Sequence, residues 1–122
     1  IRLKEKMKFN KEQFVPNILY ASPKVKMPLI CLEPGQEIPS HGGHSIGIFY
    51  VKEGKGIFML DNQKIDMEED TIIIAPEGSS RGMKCVERMV VLAISVGKRT
   101  GKANLKAAEK YLKVFCLCKS FL

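Results

Sequence analysis

The stretch that decides the fold covers residues 34–54 and reads PGQEIPSHGGHSIGIFYVKEG. It opens on a Pro-Gly pair, which favours a turn, and then places His41 and His44 on either side of two glycines. Residues 46–52 follow and are rich in β-branched and aromatic side chains, which predicts a strand. The stretch therefore combines a turn, two histidines and a strand within about twenty residues.

Further short runs of strand-forming residues lie on both sides of this stretch. They cover residues 25–32, 57–60, 63–67, 71–75, 82–86 and 88–96, and turn residues separate them. Residues 53–56 read Glu-Gly-Lys-Gly, which predicts a hairpin between two of these strands. Because no run with helical periodicity interrupts the series, the pattern predicts an all-β sandwich or barrel and disfavours a parallel α/β sheet.

The turn residues resemble the two motifs of the cupin family, whose small β-barrel usually holds one metal ion. The first motif has a glycine, a histidine six residues later and a closing glycine, which Gly35, His41 and Gly54 match. The second contains Pro-x-Gly, which is present at residues 76–78. The resemblance spans residues 25–96. It implies an all-β fold with one cupin-like antiparallel β-barrel of the jelly-roll type.

The metal-binding positions of the motifs depart from the family pattern. The position of the family's second histidine is occupied by Gly43 in this chain, and the nearest histidine is His44. The position of the family's glutamate is occupied by Gly47. In the second motif the histidine is replaced by Arg81 and the asparagine by Cys85. A stable divalent site needs three or four ligands, and a permanent positive charge repels a cation. We therefore expect no tightly held cofactor.

Two interpretations of the site remain open at this stage. If His41, His44 and Arg81 converge, with Phe49 lining the barrel, they form a pocket for a carboxylate or phosphate. The chain would then be a small-molecule binding or structural module with a degenerate metal site. The alternative is a metal-dependent enzyme of the isomerase or dioxygenase type, in which His41 and His44 bind a divalent ion with a carboxylate such as Glu37. The sequence does not decide whether the protein is an enzyme.

The two ends of the chain are basic and the middle is acidic. The net charge of +7 divides into +5 for residues 1–26, −4 for residues 27–97 and +6 for residues 98–122. We interpret the ends as solvated segments around a barrel core at residues 25–96 of one domain, and expect no nucleic-acid partner because no recognition motif is present. The N-terminal segment, residues 1–24, is predicted to supply a strand, and residues 98–122 a tail with a short helix. In that helix Leu105, Ala108, Leu112 and Phe115 fall on one face.

The cellular location and the oligomeric state are predicted from less specific features of the sequence than the fold. No apolar run approaches the roughly 18 residues of a membrane span, and residues 1–11 lack the apolar core of a signal peptide. We therefore expect a cytoplasmic protein with reduced cysteines. The family resemblance implies a homodimer. The alternating apolar residues Leu3, Met7 and Phe9 could provide a strand exchanged between the two copies.

Overall fold

A computed structural model describes residues 1–97 of the chain. Within this range one short helix and seven strands form, in the order α1 Leu3–Lys6, β1 Val15–Ala21, β2 Val25–Leu32, β3 Glu37–Gly42, β4 Ile46–Leu60, β5 Gln63–Met67, β6 Thr71–Ala75 and β7 Ser80–Val96. No helix in this part of the chain is long and apolar enough to cross a membrane. The helix predicted from Leu105 to Phe115 lies outside the described residues.

All strand pairs are antiparallel, and the two long strands β4 and β7 hold the fold together. The second half of β7 pairs with the first half of β4, and these halves lie within a first sheet with the order β1-β2-β7-β4-β6. The first half of β7 pairs with the second half of β4, within a second sheet with the order β3-β7-β4-β5. Because each long strand belongs to both sheets, its bend folds one sheet over the other, as in a jelly roll.

The bends in the long strands correct two details of the sequence prediction. The expected hairpin at residues 53–56 is wrong, because β4 continues through this region and only shifts register against β7 between Val51 and Gly56. Gly54 has a φ angle of +92°, as a bulge in a bent strand requires. Likewise the two strands predicted over residues 82–96 are one continuous strand, β7.

The space between the two sheets is the hydrophobic core. It is filled by side chains from the inner faces of both sheets, among them Phe49, Val51, Phe58, Met83 and Val91. The rings of Phe49 and Phe58 pack with their centroids 4.8 Å apart and tilted by 56°. This tilted contact is a favourable geometry for an aromatic pair, and it couples the first half of β4 to its second half across the core.

The N-terminal residues pack on the outside of the first sheet. The predicted strand within residues 1–24 forms only at Val15–Ala21, and α1 precedes it. Leu3, Met7 and Phe9 contact a small outer cluster of Leu29, Cys31 and Val90, and the guanidinium carbon of Arg88 lies 3.6 Å from the centre of the Phe9 ring. This segment therefore covers part of its own chain's sheet.

Candidate functional site

The candidate site lies at the end of the barrel where two loops meet. Residues 43–45 connect β3 to β4, and residues 76–79 connect β6 to β7. The amide of Gly78 donates a hydrogen bond of 2.8 Å to the carbonyl of Gly43, which joins the two loops directly. We call these two segments the loop end of the barrel. The first cupin-like motif contributes one loop and the second motif contributes the other.

Arg81 is the central side chain of the loop end. It is only 4% exposed, although it carries a permanent charge. Its Nη2 donates to the carbonyl of Ser45 at 3.0 Å, to the carbonyl of Pro76 at 2.9 Å and to the hydroxyl of Ser79 at 3.2 Å. The Ser79 hydroxyl in turn donates to the Pro76 carbonyl at 2.6 Å. These hydrogen bonds from Arg81 connect both loops to β7 from inside the barrel.

Two glycines make room for this guanidinium. A Cβ atom added at Gly47 would lie 2.5 Å from Arg81 Nη1, and one added at Gly43 would lie 3.0 Å from Arg81 Cζ. These glycines occupy the motif positions at which the resemblance places the glutamate and the second histidine. A side chain at residue 47 would collide with the arginine, and one at residue 43 would fit only if the guanidinium moved by a few tenths of an ångström. The three departures from the motif, Gly43, Gly47 and Arg81, therefore belong together. The guanidinium of Arg81 occupies the space that the metal-binding side chains of the motif would take.

His41 is the motif histidine that reaches this region. It lies on β3 directly opposite Arg81 on β7, and it lines the same cavity. Its Nδ1 is 3.1 Å from the Pro39 carbonyl oxygen, and since a carbonyl only accepts, Nδ1 carries the proton in this contact. Burial lowers the pKa of His41 below 6.5, and the charge of Arg81 lowers it further, while the bond to Pro39 opposes them. His41 is therefore neutral near pH 7.

His44 and Glu37 do not join the group. His44 is exposed in the loop at residues 43–45 and does not line the cavity. Glu37 is also exposed, at the start of β3 opposite Lys84. The two Gly residues between His41 and His44 lead the chain out of β3 and do not turn both rings inward. Within residues 1–97, no three His, Cys, Asp or Glu side chains come together to hold a metal ion.

The cavity next to Arg81 is small and mostly apolar. Its volume is about 20 Å³, and Phe49, Phe58, Met83 and Ile30 form much of its wall, with His41, Arg81 and Ser95 as polar neighbours. A space of this size holds one water molecule or one small ion. Phe49 therefore faces the barrel interior, whereas Tyr50 faces outward and its hydroxyl donates to Asp70 Oδ1 at 3.0 Å. An organic ligand of more than a few atoms would enter completely only if a wall moved.

Cys85, which stands at the asparagine position of the second motif, does not act as a nucleophile in this arrangement. Its side chain is 1% exposed, and burial raises the pKa of its thiol to about 11. The Sγ–H group donates to the carbonyl of Glu87 at 3.1 Å. Burial also raises the pKa of Cys31. Both thiols are protonated at neutral pH and serve as small core side chains.

Sequence reasoning missed the groups that hold Arg81. The carbonyls of Ser45 and Pro76 and the hydroxyl of Ser79 carry no motif of their own. The Pro-x-Gly turn at residues 76–78 predicted a loop. The sequence did not show that the Pro76 carbonyl accepts a hydrogen bond from Arg81, because this contact forms only when β7 packs beside the loop. Gly43 and Gly47 were identified as departures from the motif, and their shared contact with Arg81 was not.

The two-sheet barrel, with motif loops meeting at one end, is the architecture of a cupin. The sequence matches the cupin domain family over residues 28–96, and the chain belongs to that family. No curated protein matches the sequence.

Solved structures agree with this fold. A conserved protein of unknown function from Streptococcus pyogenes has a TM-score of 0.76 and 19% identity, with 82% of this chain and 88% of that chain covered. A protein from Thermus thermophilus has a TM-score of 0.75 and 20% identity, with coverage of 80% and 96%. An RmlC-like cupin protein from Desulfovibrio desulfuricans has a TM-score of 0.68 and 26% identity, with coverage of 74% and 88%. These similarities establish the fold and assign no activity.

Proposed function

We propose that this cupin is a structural or small-ligand binding module and does not act through a metal ion. The observation that carries the proposal is the position of the Arg81 guanidinium, which lies against Gly43 and Gly47 where cupin motifs have metal ligands. A divalent cation at the same place would face a fixed positive charge at short range and in a buried setting, where Coulomb repulsion is weakly screened. The residues present therefore do not fit a metal ion.

Elemental analysis of protein purified without a metal-chelating tag tests this proposal. We expect well under one equivalent of transition metal per chain, because His41 alone cannot supply a stable coordination sphere. The alternative of a metal-dependent enzyme that uses His41 and His44 makes the opposite prediction. Stoichiometric metal that is lost in a His41→Ala variant would establish that alternative and overturn the proposal.

A small anion is the ligand that the loop end favours. The cavity beside Arg81 has about 20 Å³, and the neighbouring charge is positive, so that an ion of a few atoms, or the tip of a carboxylate, suits its size and sign. Neutral His41 uses its Nδ1 proton for Pro39, and it becomes a second cation only when it is protonated. Binding through His41 is therefore coupled to pH.

We expect formate or chloride to bind weakly between about pH 8 and pH 7 and more tightly below pH 6.5, since the lowered pKa of His41 delays its protonation. Formate keeps its charge throughout this range. Calorimetric titration of the wild type and of Arg81→Met measures the effect, and exposed His44→Gln serves as the matched control that should titrate like the wild type. If no anion binds at millimolar concentration at any pH, the barrel is a structural module only.

A further inference from the structure

Lys26 is a second buried cation of the barrel. It is 7% exposed, compared with 4% for Arg81. No acidic side chain within residues 1–97 is buried, so that both buried charges in this part of the chain are positive. Charges act on one another more strongly in a buried setting than in water, because they are weakly screened there. The position of Lys26 relative to Arg81 therefore decides what the loop end attracts.

Lys26 lies on the inner face of the first sheet. Further along β2, Ile30 and Leu32 belong to the core between the sheets, whereas Leu29 and Cys31 belong to the outer cluster. Successive side chains of a strand point to opposite faces, and Lys26 is an even number of residues from Ile30. Its side chain therefore starts on the face that lines the barrel interior.

Strand register places Lys26 close to Arg81. Lys26 pairs with Ser95 of β7, and Ser95 pairs with Gly47 of β4, so that the three residues form one row across the sheet. The guanidinium of Arg81 lies over Gly47 at the end of this row. With about 4.8 Å between neighbouring strands, Lys26 and Gly47 are about 10 Å apart. Ser95 lies between them and lines the cavity beside Arg81.

The start of β2 adjoins the loop that Arg81 holds. The amide of Gly97 donates to the carbonyl of Lys24 at 3.0 Å, next to the start of β2. A Cβ atom added at Gly97 would lie 3.0 Å from the Cβ of Ser45, so the two residues are in close contact. The carbonyl of Ser45 is one of the acceptors of Arg81. Lys26 and Arg81 therefore belong to the same end of the barrel interior.

We propose that Lys26 and Arg81 together bind a short dicarboxylate at the loop end, with one carboxylate near each cation. The inference rests on the proposed function, because it takes the cavity beside Arg81 as the site of the first carboxylate. This cavity of about 20 Å³ has room for the tip of a ligand only. The second carboxylate then lies outside the cavity, along the row that leads past Ser95 to Lys26.

The two cations distinguish a divalent anion from a monovalent one. A single carboxylate offsets the charge of Arg81 and leaves that of Lys26, whereas a dicarboxylate offsets both and removes their weakly screened repulsion. The separation of the cations also matters. Phosphate concentrates its charge in one compact group, while the two ends of a dicarboxylate can follow a row of about 10 Å. The ammonium group of a lysine acts as a point charge, so it accepts the second carboxylate in several orientations.

Calorimetric titration of the full chain at about pH 7.5, where His41 is neutral, tests the proposal. We expect malonate or succinate to bind at least about 10-fold more tightly than formate. Lys26→Met retains much of the side-chain length and should abolish this preference, while the affinity for formate stays within about twofold. Lys24→Met is the matched control, because it removes the same charge from an exposed neighbour and should bind like the wild type. Lys26→Gln is a second neutral variant, in case Lys26→Met does not fold.

The outcomes separate this inference from the proposed function. If formate binds and neither dicarboxylate binds more tightly, or if the preference is undiminished in the folded Lys26 variants, Lys26 has no part in the site and the proposed function stands. Phosphate that binds more tightly than both dicarboxylates would overturn the ligand class. If none of these anions binds at millimolar concentration, the inference and anion binding at the loop end fail together.

Discussion

Gly47→Ala is expected to lower the free energy of unfolding by about 2–4 kcal/mol, although alanine normally suits a strand better than glycine. The added Cβ would lie 2.5 Å from Arg81 Nη1 and 2.8 Å from Phe49 Cε2. Neither neighbour withdraws freely, since Arg81 makes three hydrogen bonds through Nη2 and Phe49 packs against Phe58. The clash therefore exceeds the gain of about 0.4–1 kcal/mol from a less flexible unfolded chain.

The same substitution in an Arg81→Ala background should cost about 1–3 kcal/mol less, because the closest clash is gone and only Phe49 remains. Gly42→Ala is the matched control: it lies in the same motif, a Cβ added there would meet no atom within 4 Å, and its effect should stay within about 0.5 kcal/mol. Urea denaturation of the four variants of the cycle gives the coupling. Equal costs of Gly47→Ala in both backgrounds would mean that Arg81 does not lie over Gly47 in solution.

The fold was largely predictable, because its evidence is local. Turn residues and short β-branched runs set the bounds of β2, β5 and β6, which agree with the sequence prediction. The prediction of a hairpin at residues 53–56 failed, because β4 bends there and does not reverse its direction. Residues 53–56 contain two glycines and look like a hairpin, but the same residues allow the register shifts by which β4 passes from one sheet to the other. Local composition does not separate these two uses of glycine, since both require unusual backbone angles.

The site was less predictable than the fold, because its evidence is a contact between distant residues. The motif identified Gly47 and Arg81 as departures from the pattern. Both were interpreted as lost ligands, and Arg81 was also interpreted as part of an anion pocket. Only the folded chain brings the guanidinium against the glycine. His44 illustrates the same limit, since the sequence left open whether His41 and His44 converge on one pocket. In the structure His44 is exposed, and His41 lines the cavity without it.

Restoring three motif residues should convert the loop end into a metal site. We expect a variant with Gly43→His, Gly47→Glu and Arg81→His to bind about one equivalent of Zn²⁺, at least about 100-fold more tightly than the wild type. Removal of the guanidinium eliminates both the charge and the closest steric conflict with residue 47. His41 is suited to the role already, because its lowered pKa keeps the imidazole neutral, and neutral imidazole is the form that binds metal.

The contact between His41 and Pro39 strengthens this expectation. With the Nδ1 proton directed at the Pro39 carbonyl, Nε2 carries the lone pair, and a hydrogen bond of this kind is how metal-binding histidines are oriented. Calorimetric titration with Zn²⁺ and elemental analysis measure the gain. The variant with Gly43→His and Gly47→Glu that retains Arg81 is the control and should neither bind metal nor fold as stably. A triple variant that folds but binds no metal would contradict this prediction. It would show that Arg81, Gly43 and Gly47 are not the reason why the wild type excludes a cation.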